Sequence, residues 1–177
     1  MAIYSDQQLE FSSRHLIYHI RMYVETFLWL QSHLRPKDWG TAWNAVLESH
    51  LIHARVLINF LQYEKPKYKT DVIALNYLHN LQNAFLPLQH EFLKDQSEKI
   101  GGQLVHLTTK SPLLKSEQEW QISEITKDLI PAIQNFLNVV PNHRLPTKIN
   151  EECKEIINKI SVNSPAATIQ LSTSSAT

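Results

Sequence analysis

The feature that most constrains this chain is the spacing of its large apolar residues, which recur at steps of three and four along most of its length. Leu9, Leu16, Ile20, Tyr23, Phe27, Leu30 and Leu34 set the pattern at the N-terminal end. Such steps return to one face of an α-helix, whereas a half-buried strand would alternate every second residue. A first helix is therefore expected over 5–34. It should stop at Arg35-Pro36, because proline disfavours helical geometry in the residue before it. In a second helix over 41–63, Trp43, Leu47, Ala54, Leu57 and Leu61 share one side. Val46, Leu51, Ile52, Val56, Ile58 and Phe60 widen that side, and Asn44, Glu48, Arg55, Asn59 and Gln62 collapse into a narrow polar strip. A helix so nearly apolar all round is expected to be the most buried one.

The remaining punctuation follows from capping and breaking residues. Thr70-Asp71 reads as an N-cap after the Lys65-Pro66-Lys67 linker, with helical pieces over 72–92 and a break at Pro87. A D-x-x-E start at Asp95 opens a fourth helix ending near 109, and Ser111-Pro112 breaks the chain again. The Ser116 capping box opens a last long helix to about 140, in which Pro131 should introduce a kink. A short helix over 150–160 follows a proline-bounded loop. The Ser/Thr/Ala-rich residues 161–177 are expected to be a disordered tail. The expectation is one all-α domain over 1–160, an irregular antiparallel bundle of four long helices plus shorter pieces.

Composition narrows the function. Lys+Arg and Asp+Glu balance at 17 each, so the broad basic excess of a duplex-binding protein is missing. Three glycines, Gly40, Gly101 and Gly102, are too few for phosphate-cradling loops such as GxGxxG. One cysteine, Cys153, allows no internal disulfide and suits a reducing cytoplasm. The N-terminal residues lack the charge and apolar run of a signal peptide, and the most apolar stretch, 16–30, is too polar to span a membrane. A soluble cytoplasmic protein without a cofactor is expected.

Three groups of residues are candidates for chemistry. His15 and His19 share a helix face as two metal ligands would, but Glu-x-x-His, HExxH and cysteine-pair patterns are missing, and no metal is expected. His50 and His53, on the apolar side of the second helix, read as hydrogen-bonded core histidines. The strip Glu48, Arg55 and Asn59 reads either as a bundle-organising polar network, with Glu48 on the same face as a partner for Arg55, or as the solvated edge of the helix. Lys99, Gln103, His106 and Lys110 fall within about 60° of one another on a helix. Two ammonium groups flanking an imidazole could hold a phosphate while the histidine moves a proton. Gly101 and Gly102 lie on the other side of that helix and destabilise it by roughly 1 kcal/mol each relative to alanine, which calls for a conformational or a packing reason, such as close approach of a neighbouring helix.

The segments LESHLIHARVLINFL (47–61) and VHLTTK (105–110) resemble those of uncharacterised bacterial helical proteins. The spacing from Lys99 to His106 is similar to the R-x4–6-H motif of the HEPN domain. That resemblance implies an all-α fold, a role in toxin–antitoxin or phage-defence systems, and metal-independent RNA cleavage by a homodimer. His106 would be the acid/base and Lys99 would stand at the arginine position, keeping the charge but losing the bidentate fork. Gln103, Lys110, Arg55 and Glu48 are the accompanying binding candidates. RNA, an antitoxin protein and a second copy of the chain are the expected partners, with Trp29, Trp39, Trp43 and Trp120 as interface anchors. The alternative is an interaction protein that builds a helical homodimer and performs no chemistry.

Overall fold

The computed structural model describes residues 4–33, 40–78, 90–105 and 120–163. Among them are six α-helices and no strand: α1 (Asp6–Ser32), α2 (Thr41–Gln62), α3 (Ala74–Leu78), α4 (Glu91–Ile100), α5 (Ile122–Val139) and α6 (Thr147–Asn163). Four are long, two are short, and the chain is an all-α bundle. A π-helical turn, Gly101–Val105, continues α4. No described helix is long and apolar enough to cross a membrane.

Local sequence explains the first boundaries. Ser5 caps α1 with a capping box, its hydroxyl accepting from the Gln8 N–H while the Gln8 carboxamide accepts from the Ser5 N–H. Two orphan amides are thereby satisfied. α2 begins at Thr41 as the apolar pattern requires. It is the hub of the bundle, packing on α1, α3, α4 and α5. Leu47, Ala54, Leu57 and Leu61 are all buried. Even so, it is not the most enclosed element, because each of the five residues of α3 is buried while Ile52 and Val56 of α2 reach solvent. The apolar circumference of α2 is wider than the surface its neighbours cover.

Other boundaries differ from expectation. Asp71 does not cap a helix; its Oδ2 accepts the Tyr68 N–H at 2.8 Å and closes a turn, and α3 begins three residues later at Ala74. Asp95 and Glu98 lie inside α4, which starts at Glu91 without a side-chain cap. α5 starts at Ile122 rather than at Ser116, whose expected box lies outside the described residues, and Pro131 sits within it. α6 is longer than its local pattern suggested and runs to Asn163, since Cys153, Ile156 and Ile157 are buried where it packs on α1 and α5. An Arg21–Glu152 ion pair joins α1 to α6 at the surface. The expected tail beyond 163 lies outside the described residues.

Trp29, Trp43 and Trp120 pack half-buried against the core, and Trp39 is outside the described residues. Among the described residues, the large apolar side chains that are exposed are instead Phe11, Tyr18, Ile52, Val56 and Tyr68. All five belong to α1, α2 and the segment that follows α2.

Candidate functional site in the α1–α2 cavity

Residues 63–73 fold back over the end of the α1–α2 pair. The Tyr4 hydroxyl pins them there, donating to the carbonyls of Lys69 and Asp71 at 3.0 and 2.9 Å. Between this segment and the two helices lies a cavity of about 560 Å³, within the range of small-ligand clefts. His15 and His19 of α1, Arg55 and Asn59 of α2, and Lys67 and Asp71 of the segment bring polar groups to it. Leu57, Phe60, Tyr63 and Tyr77 supply apolar and aromatic wall.

On one side His19 Nδ1 lies 2.8 Å from His53 Nδ1. Only one proton fits between them, so one ring carries Nδ1–H and the other a bare Nδ1 with its proton on Nε2. Tyr18 meets both rings edge-on, with centroids 5.5 and 5.4 Å away. Burial, then His53 and His15, push the His19 imidazole down to about 4, and burial lowers His53 as well. The pair is therefore neutral at neutral pH. Among the described residues no group of three His, Cys, Asp or Glu side chains is placed to hold a metal ion.

On the other side is Arg55. Its Nε is buried without a hydrogen-bond partner. Glu48 is exposed, and no ion pair joins it to Arg55 among the described residues. The guanidinium instead lies over Gly101, where a Cβ would stand 2.9 Å from Arg55 Nη2. Gly101 has ordinary right-handed backbone, so it is the missing side chain that matters there: the space is filled by arginine. Gly102 has open space beside it, and no such contact explains it. Asn59, one turn after Arg55, accepts the Ser97 hydroxyl on Oδ1 at 2.7 Å.

The stripe singled out in the sequence is only partly described. The Lys99 ammonium sits 4.5 Å from the centroid of the Trp120 ring, a cation–π contact that engages the charge within the protein. Gln103 lies on the π-helical turn. His106 and Lys110 lie outside the described residues, so the geometry of Lys99 with His106 is not part of the picture. The sequence did single out Arg55, although not for an open cavity. It missed the cross-helix pairing of His19 with His53. The only signal was that both histidines interrupt apolar helix faces. No protein-family model, curated protein or solved structure matches this chain.

Proposed function

We propose that the chain is a HEPN-like helical module that binds single-stranded RNA across the mouth of the α1–α2 cavity. The observation that carries this reading is the basic and aromatic surface of the segment after α2. Lys65, Lys67 and Lys69 are exposed around exposed Tyr68, and the Lys67 ammonium lies 5.7 Å from the Tyr68 ring centroid. Phe11 and Tyr18 stand exposed on α1, each in ring contact with a histidine that lines the same cavity. Cations that track a backbone beside rings on which bases stack are what sequence-tolerant single-strand binding needs. The Asp71 carboxylate, turned onto the Tyr68 amide, is held within its own loop.

A fluorescently labelled single-stranded RNA titrated by anisotropy at two salt concentrations tests this. Binding should weaken with salt, and Lys67→Ala with Lys69→Ala should reduce the salt dependence. Tyr68→Ala should weaken binding by the equivalent of about 1–3 kcal/mol, one base stacked on one ring. Salt-independent binding, or none, removes the reading. Cleavage is a separate outcome. If His106 is an acid/base, metal-free incubation yields products ending in 2′,3′-cyclic phosphate, His106→Ala abolishes them, and Lys99→Arg raises the rate by restoring the fork. An inert wild type and an inert Lys99→Arg variant leave a binding module without chemistry.

The second reading, a cytoplasmic interaction protein that forms a homodimer or meets an antitoxin-like partner, is favoured by exposed apolar side chains that the first reading does not use. Ile52 and Val56 are one helical turn apart on α2 and are of no use to RNA phosphates. Light scattering at high micromolar concentration should give a dimer that Val56→Glu dissociates; a monomeric wild type excludes the homodimer.

A further inference from the structure

Arg55 and Asn59 follow one another by one turn of α2, and both reach the cavity. The Ser97 hydroxyl, donating to Asn59 Oδ1, fixes the carboxamide so that its NH2 is the end left to donate. The guanidinium, backed by Gly101 and without a carboxylate or carbonyl partner among the described residues, is held in place by packing alone. A planar fork with a buried, unpaired Nε is costly unless an acceptor arrives. Two donors on one helix face, one charged and one neutral, match the two oxygens of a carboxylate.

The side chains of the cavity wall that carry a fixed charge are Arg55 and Lys67 against Asp71; two cations less one anion leave a single positive charge, with His19 held neutral by burial. That balance suits one negative charge and opposes a second. Beyond the donors the wall turns aromatic. Phe60 meets Tyr77 and Phe136 edge-to-face at 6.0 and 5.1 Å, and the Tyr77 hydroxyl is spent on the Leu9 carbonyl at 3.1 Å. Rings offering faces and edges favour a flat ring over a flexible chain.

We infer that the cavity is a binding site for a small monoanionic acid bearing an aromatic ring, its carboxylate held by Arg55 and Asn59 and its ring among Phe60, Tyr63 and Tyr77. This goes beyond RNA binding at the mouth and uses different residues. A ligand seated there would lie directly beneath Tyr68 and Lys67, so occupancy would couple to the outer surface.

Titration of the full chain with 2-naphthoate, followed by calorimetry and by the NMR signals of the Arg55 Nε–H and the Asn59 side-chain amide, tests the site. One-to-one saturable binding that moves both signals is expected. Arg55→Leu should weaken it by about tenfold or more, the size of one charge-assisted hydrogen bond. Asn59→Asp should weaken it through like-charge repulsion, and Arg55→Lys should fall between wild type and Arg55→Leu. Circular dichroism establishes that each variant is folded, and if Arg55→Leu is not, Arg55→Lys and the wild-type NMR signals decide. The inference is overturned if 2-naphthoate does not saturate, if its affinity is the same in wild type and in the folded Arg55 variants, or if 2-naphthylmethylamine binds equally well. Tighter binding of naphthyl phosphate overturns the monoanion assignment, and equal binding of an aliphatic acid of the same size overturns the aromatic one. Loss of RNA binding in a Lys65→Ala, Lys69→Ala double variant, whose two residues do not line the cavity, with naphthoate binding intact would bear on the outer surface alone.

Discussion

Two polar clusters sit between α1 and α2, built from similar residues, and they have opposite fates. In the first, His50 is sealed. Its Nδ1–H donates to the Tyr23 carbonyl at 3.2 Å, with Thr26 Oγ1 at 3.3 Å. Its ring stacks on Tyr23 with centroids 4.5 Å apart, and the Tyr23 hydroxyl pairs with Thr126 Oγ1 at 2.8 Å. Nε2 is left bare and buried. Burial holds the imidazole down to about 4, so it is a neutral packing element. In the second, three residues further along α2, His53 meets His19 beside an open cavity, and Arg55 waits without an acceptor. The helices and the residue types are the same; closure by α5 through Thr126 is present in one case and not in the other. A polar group in an apolar face becomes structural where neighbours complete its hydrogen bonds, and a candidate for binding where they stop short.

Leu57 separates these fates, being buried in the core while lining the cavity. Leu57→Ala should destabilise the fold by about 2–5 kcal/mol in denaturant unfolding, the usual range for a buried leucine. A loss within measurement error would mean that the cavity side of α2 carries no core load, and the contrast would fail.

Acid should act on both clusters. His19 and His50 are held at about 4 in the fold and rise towards about 6.5 when unfolded. Between those values the unfolded chain binds more protons, so stability is fully present above about pH 6.5 and is lost as pH falls towards 4. Melting temperatures from pH 7.5 to 4 should decline within that window. His50→Gln should flatten the decline more than His19→Gln does, because His50 is enclosed and His19 is half exposed. Equal flattening would contradict the distinction.

Tyr23→Phe removes one hydrogen bond from the sealed cluster while Thr126 keeps its bond to the Ile122 carbonyl at 2.8 Å. The expected cost is about 0.5–1.5 kcal/mol. The smallest effect belongs to the cavity. Arg55→Leu should leave stability within about 0.5 kcal/mol of wild type or raise it slightly, since the guanidinium has no carboxylate or carbonyl partner among the described residues and its Nε is buried unpaired. A substantial loss would show that Arg55 is a structural residue after all.

The residues that announced the helices did so through local physics. Ser5 and Gln8 specify the start of α1, and the three- and four-residue steps specify the extents of α1 and α2, because capping and amphipathicity act within a few residues. Where local signals misled, a neighbour had intervened. The Asp95–Glu98 box was overridden because Leu93 is buried with Ile100 and draws the helix start back to Glu91. Asp71 served a turn instead of a cap because the segment after α2 is tied down by Tyr4, some 67 residues away. The candidate site was legible in its parts, as Arg55 and the His15/His19 pair, but not as a place.

What the sequence determined by itself, then, is the all-α class, the two long N-terminal helices and the buried line of α2, since periodicity and caps are properties of adjacent residues. Tertiary structure alone decided that His50 is sealed while His53 faces His19, that Arg55 lies over Gly101 rather than beside Glu48, and that a cavity remains between α1 and α2. Each of these depends on which residues from distant parts of the chain arrive to complete a hydrogen bond or fill a space, and no local pattern encodes that arrival.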